Sequence, residues 1–145
     1  MVVRSGEVRL MGGTGSEKVL EYPAELKYVK SHEYVRVNGD EATIGVTAFA
    51  ADQLGDVTYV ELPKAGEKFK KEDKFGVIES VKSVSDLFMP VGGEVLAVND
   101  RLSSEPELVN YDCYGEGWML KVKLSSASDL DDAMSADQYR EFVVE

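Results

Sequence analysis

From Leu26 onward the apolar positions recur mostly in twos. In "KYVKSHEYVRVNGDEATIGV", Tyr28, Tyr34, Val35 and Val37 precede Asn38-Gly39, and Ala42, Ile44 and Val46 follow it. Two β-prone runs about an Asn-Gly step predict a hairpin. "TAFAADQLG" then switches to a helical pattern. Thr47 offers a side-chain cap, Gly55 a stop, and the alanines and Leu54 between them a helix of about two turns. "DVTYVELP" returns to alternation through Val57, Tyr59 and Leu62 and halts at Pro63. The spacing Pro-x-x-Gly-Glu occurs at Pro63 to Glu67 and again at Pro90 to Glu94, as expected if two similar half-units face one another.

Further along, "SSEPELVN" predicts a single helical turn capped by Ser103 or Ser104, with Pro106 tolerated near its start. "YGEGWMLKVKLS" predicts a turn and then a strand with Trp118, Leu120 and Val122 on one face. The tail changes period. Ser128 with Asp131 predicts one short helix. Ser135 with Gln138 forms a capping box for another, with Met134 placed to staple onto Tyr139. Many short strands and few helices define a mainly β chain of two packed antiparallel sheets or a flattened barrel, closed by a helical C-terminal tail.

The stretch "FGVIESVKSVSDLFMP" poses the chemical question. Alternation sets Phe75, Val77, Glu79 and Val81 on one face and Gly76, Ile78, Ser80 and Lys82 on the other, while Leu87 and Met89 point inward on the return. The turn falls between Val81 and Val84, yet it holds none of the Gly, Pro or Asn-Gly that a tight hairpin normally uses. Lys82 stands at its apex. It is either an ordinary solvated charge or an amine kept clear so that an enzyme can acylate it. Small neighbours at Ser83 and Ser85 leave room for such an approach.

Composition removes several other classes. The chain has 145 residues, 43% of them hydrophobic and 30% charged, which suits one domain with a real core. No apolar run approaches the roughly 18 residues of a membrane span. A net charge of −11 disfavours nucleic acid and anionic lipid, and favours a protein partner with a basic face. One cysteine, Cys113, allows neither an internal disulfide nor a cysteine-built metal site, and fits a reducing compartment. His32 is the single histidine. No serine sits in a nucleophile elbow that would make His32 part of a hydrolase, and a structural role against Tyr34 or Tyr111 is expected of it. Residues 1–18 lack periodicity and read as a disordered leader, a tag or a targeting remnant, leaving 19–145 as the domain.

Glu79-Ser80-Val81-Lys82, followed by Ser85-Asp86, resembles the lipoylation site of the glycine cleavage system H proteins. The likeness continues through "KYVKSHEYVRV", "ATIGVTAFAADQLGDVTYVELPKAG", "GGEVLAVNDRLSSEPELVN" and "YGEGWMLKVKLS", about residues 24 to 143. It implies a barrel-sandwich hybrid fold with lipoic acid in amide linkage to Lys82. It also implies a cleft for the loaded arm in which Ser31, Glu33 and Asp86 meet the amine. The implied role is carriage without catalysis. An aminomethyl group would pass from a pyridoxal-phosphate glycine decarboxylase to a tetrahydrofolate-dependent aminomethyltransferase, with reoxidation by dihydrolipoamide dehydrogenase. A lipoate ligase or a lipoyl/octanoyl transferase would load the arm. No metal is implied, and a monomer is expected, in the cytoplasm of a bacterium or the mitochondrial matrix of a eukaryote. A relay donating lipoate or octanoate to other lipoyl-dependent complexes is the alternative. Two residues depart from the family pattern: Cys113 where Pro is common, and Val84 where a small residue is common. A biotinyl carrier is disfavoured, because Val81 and Ser83 rather than Met flank the lysine.

Overall fold

The computed structural model describes residues 20–144, and the expected leader, 1–18, lies outside them. Nine strands in these residues form two antiparallel sheets. The larger sheet runs in the order β1 (Lys27–Tyr28), β2 (Glu33–Asn38), β3 (Glu41–Val46), β9 (Leu120–Leu124), β8 (Gly93–Val98) and β5 (Lys68–Phe69). The smaller has β6 (Lys74–Ser80) between β4 (Val57–Glu61) and β7 (Val84–Phe88). Neither closes on itself, so the chain is a sandwich-like pair of sheets rather than a closed barrel. Three short α-helices complete it: α1 (Ala48–Leu54), α2 (Leu108–Asp112) and α3 (Ala136–Val144).

Ile44, Ile78, Leu87, Met89, Leu120 and Val122 are fully buried in the main core, which both sheets supply. Each such side chain stabilises the fold by about 1.5–3 kcal/mol through removal from water. A second, aromatic core forms where α3 covers β1 and β2. Tyr22, Leu26, Tyr28, Tyr34, Ala136 and Tyr139 make it up, with the rings of Tyr28 and Tyr139 stacked at 4.8 Å. Cys113, which stands where the family commonly has Pro, is buried, and burial pushes its thiol up to about 12.

Several local expectations hold. Thr47 caps α1 through Ala50 N–H, and Gly55 ends it at φ 78°. The box at α3 is reciprocal: Ser135 N–H donates to Gln138 Oε1 at 2.9 Å, and Gln138 N–H to Ser135 Oγ at 3.1 Å. Met134 packs against the aromatic core that contains Tyr139. The two Pro-x-x-Gly-Glu segments meet at their C-terminal ends, where Gly66 N–H donates to the O of Val95, the residue after Glu94, and Val95 N–H to Glu67 O, both at 2.8 Å.

Others need correction. The β2–β3 loop is Gly39-Asp40, one residue beyond the Asn-Gly step, because Asn38 still pairs with Glu41 and Gly39 supplies the left-handed φ of 69°. The ladders shift register at three places, one of them between Val95 and Ala97, and at the other two the alternation expected above fails. One, between Val57 and Tyr59, leaves Val57 and Val60 buried with Tyr59 exposed. The other, between Lys74 and Gly76, brings Phe75 and Ile78, expected on opposite faces, into the same core. An extra residue in one strand of a ladder resets which face the following side chains take. β4 also comes close at Gly76, since a Cβ there would stand 2.1 Å from Glu61 O.

The predicted helix in "SSEPELVN" is two pieces. Asn99, not Ser103 or Ser104, caps a 3-10 turn over Asp100–Ser103, and α2 starts beyond Pro106. Asn99 wins because its amide also donates to the Glu116 and Trp118 carbonyls, at 2.7 and 2.8 Å. Trp118 precedes β9 instead of lying in it, and the Lys121 ammonium sits 4.9 Å over its ring. The first tail helix is a 3-10 turn over Ala127–Leu130 capped by Ser126 rather than Ser128.

Candidate functional site

The β6–β7 turn is built by one hydroxyl. Glu79 and Val84 are the last ladder pair, and Ser80 N–H donates to Ser83 O at 2.8 Å. Ser80 Oγ then accepts from Ser83 N–H at 3.1 Å and Lys82 N–H at 3.3 Å. Serine thereby shapes the turn without a left-handed residue, and Lys82 keeps the apex. Val81 N–H donates to Asp56 O at 3.1 Å, tying the tip to the segment after α1. Asn110 braces that segment from α2: its amide donates to Gly55 O at 2.7 Å and accepts from Val57 N–H at 2.9 Å. The lysine stem runs beside Gly55, with Cε 3.5 Å from where a Cβ on that glycine would be. Ser80 and Asn110 were not singled out from sequence. A serine two residues before the apex of a turn lacking glycine was the available signal for the first, whereas nothing local marks the second.

Beside the tip opens a cleft of about 370 Å³. Val46, Phe49, Leu54, Ile78 and Leu87 give it apolar walls, and Ser31, His32, Glu33, Ser83, Ser85 and Asp86 line it with polar groups. The residues expected to act together, Ser31, Glu33 and Asp86, thus share one cavity, which is also lined by Ser83, the chain neighbour of Lys82. Glu33 is 1% exposed, yet it has partners. Oε1 accepts the Ser31 hydroxyl, and Oε2 accepts Phe88 N–H at 3.0 Å. Burial pushes its carboxyl up to about 7, against the opposing pull of those two donors. Asp86 differs. It lies on the edge strand β7, opposite Val77 of β6, and its half-exposed carboxylate is 3.2 Å from Lys74 Nζ.

His32 also lines the cleft, but against neither tyrosine expected. Tyr34 donates its hydroxyl to Cys113 O at 2.7 Å and packs on Tyr114, and Tyr111 is 80% exposed. The His32 ring instead faces Phe49 at 4.9 Å, and its Nδ1 is 2.6 Å from Tyr139 Oη, 107 residues away. Its backbone is left-handed, with φ 76°, a conformation that costs a non-glycine residue roughly 1–2 kcal/mol. Burial lowers its pKa, which favours the neutral ring. Among the described residues no group of His, Cys, Asp or Glu could hold a metal, and no helix is long and apolar enough to cross a membrane.

An exposed amine thus stands at the tip of a braced hairpin, beside an amphiphilic cleft and on a two-sheet scaffold. The family model for the glycine cleavage H-protein matches residues 26–145, and the chain belongs to that family. It is 53% identical over 123 residues to the glycine cleavage system H protein of Symbiobacterium thermophilum, covering 85% of this chain and 96% of that one. It is 54% identical over 121 residues to a probable glycine cleavage system H protein of Haloarcula marismortui, covering 83% and 95% respectively. The crystal structure of a glycine cleavage system H protein from Mycobacterium marinum superposes with a TM-score of 0.79 at 29% identity. That match covers 86% of this chain and all of the other.

Proposed function

We propose that this chain is the lipoyl carrier of a glycine cleavage system, with lipoic acid in amide linkage to Lys82 and its loaded arm resting in the cleft beside the tip. The carrying observation is the juxtaposition of an apex lysine, presented by the Ser80 turn, with a cavity that holds both apolar walls and a buried carboxyl. The lining suits the group: methylenes and sulfurs match Val46, Phe49, Leu54 and Leu87, and an ammonium at the far end matches Glu33. When bound, the lipoyl group supplies a dithiolane that cannot reach the relaxed disulfide dihedral of about 90° and therefore opens readily.

The rest is done by the protein. Ser80 and Asp56 fix the tip so that only the arm swings. The apolar walls keep water from a labile adduct. Glu33 meets the cargo's cation, and the cation in turn draws the carboxyl toward its ionised form. Ser31 holds the carboxyl in place. The chain itself performs no catalysis. Its partners are a pyridoxal-phosphate glycine decarboxylase, a tetrahydrofolate-dependent aminomethyltransferase, dihydrolipoamide dehydrogenase and the enzyme that attaches lipoate.

Intact-mass measurement after incubation with lipoate, ATP and a lipoate ligase tests this. The wild-type chain gains one lipoyl amide, mapped by peptide fragmentation to Lys82, and Lys82→Arg gains none. Addition at another lysine, or none in the wild type, overturns the reading. A modified chain that fails to support glycine–bicarbonate exchange with the decarboxylase would be a lipoate relay instead.

A further inference from the structure

We propose that Tyr139 of α3 is a positioning residue for the cleft, its hydroxyl clamping the turn that carries Ser31 and Glu33 to the helix that forms the facing wall. This rests on the cleft being the resting place of the Lys82 arm. Tyr139 is fully buried, and its oxygen lies 2.6 Å from His32 Nδ1 and 2.8 Å from Thr47 Oγ1. His32 stands between Ser31 and Glu33 in the chain, so fixing its ring fixes the backbone on both sides. The left-handed His32 is held at its carbonyl as well, which accepts Thr47 N–H at 3.0 Å. Thr47 is the cap of α1, accepting Ala50 N–H at 3.2 Å, and α1 supplies Phe49, Ala50, Gln53 and Leu54 to the cleft.

The hydrogen-bond directions are consistent with one another. A neutral His32 can accept at Nδ1, so the Tyr139 hydroxyl donates to it and accepts from the Thr47 hydroxyl. Thr47 still accepts from Ala50. The clamp therefore spans the two walls and is anchored in a helix that contributes no residue to the cavity lining.

A purely structural tyrosine is the competing explanation, and the molecule holds a matched control. Tyr28 stacks on Tyr139 in the same aromatic core and donates its own hydroxyl to Pro23 O at 2.7 Å, away from the cleft. The experiment compares wild type, Tyr139→Phe, Tyr28→Phe and Thr47→Ser by carbon-13 NMR titration of the Glu33 carboxyl on the unmodified chain. Wild type, Tyr28→Phe and Thr47→Ser titrate together near 7. Tyr139→Phe titrates at least about one pH unit lower, because a loosened turn admits water and weakens the burial that raises the value.

On lipoylated chains loaded with the aminomethyl group, Tyr139→Phe releases cargo to water about fivefold faster than wild type, and Tyr28→Phe at the wild-type rate. If Tyr139→Phe matches Tyr28→Phe in both measurements, the proposal is overturned. If the wild-type chain never takes a lipoyl group, the reading of Lys82 fails, while the carboxyl titration still decides the clamp. Should Tyr139→Phe not fold, His32→Asn removes the other end of the link with a residue that tolerates a left-handed backbone. It is expected to lower the Glu33 midpoint likewise, and a wild-type midpoint in that variant overturns the proposal.

Discussion

The β2–β3 hairpin turns through Gly39 and Asp40 with Gly39 left-handed, whereas the β6–β7 hairpin turns through Val81 and Lys82 with a serine hydroxyl across its base. A glycine turn supplies backbone shape and leaves nothing chemical at the apex. A hydroxyl turn moves the shaping task to a neighbour, so the apex can be any side chain, here a lysine. The two hairpins also bear their polar groups at opposite ends. Glu33 opens β2 where it pairs with Val46 and is sealed from water, while Lys82 closes the other hairpin on the exposed surface. One end buries a carboxyl, and the other leaves an amine exposed.

The harshest way to disturb the lysine hairpin is Gly76→Ala at its base. The added carbon would meet Glu61 O at 2.1 Å, which backbone alone cannot relieve, so β4 and β6 must part. A loss of about 3 kcal/mol or more in urea denaturation is expected. In the other hairpin, Glu33 imposes a pH dependence. Its folded value near 7 exceeds the ordinary 4.5, so the unfolded chain releases this proton first. Its contribution therefore favours folding fully below about 4.5 and fades as pH rises to about 7, a loss of about 3 kcal/mol at most. Stability measured against pH should show that decline in wild type and lack it in Glu33→Gln.

Two milder changes compare the turns directly. Gly39→Ala meets no atom within 4 Å, so only the left-handed backbone resists it, at about 1 kcal/mol. Ser80→Ala removes an exposed hydroxyl and should cost about 0.5 kcal/mol globally. Its effect should instead appear as faster amide exchange at Lys82 and Ser83, with wild-type exchange in β2 and β3. Equal global costs would erase the distinction between a turn that stabilises the fold and a turn that presents a residue.

What the sequence disclosed follows from how locally each feature is encoded. Thr47 with Gly55, and Ser135 with Gln138, are decided within a few residues, and both appear in the structure as read. The β-rich class followed from alternation alone, because period two survives in most strands. It fails at Gly76 and Tyr59 because a register shift is a property of the strand pair and leaves no mark on one strand. The proposed site divides in the same way. Lys82 was conspicuous as a lysine in a turn without glycine, and the resemblance pointed to Ser31, Glu33 and Asp86. The link from His32 to Tyr139 crosses 107 residues and carries no local signal, so a tyrosine in the tail read simply as a staple for its own helix.

The single cysteine has a practical consequence. Cys113 is 6% exposed, and its thiol is held near 12, so almost none of it is thiolate at neutral pH. A sulfur-selective dye added to the native chain therefore meets a silent background. On a chain bearing reduced lipoate, the fast colour change would count the arm's two thiols alone, and the slow remainder would time the opening of the fold around Cys113.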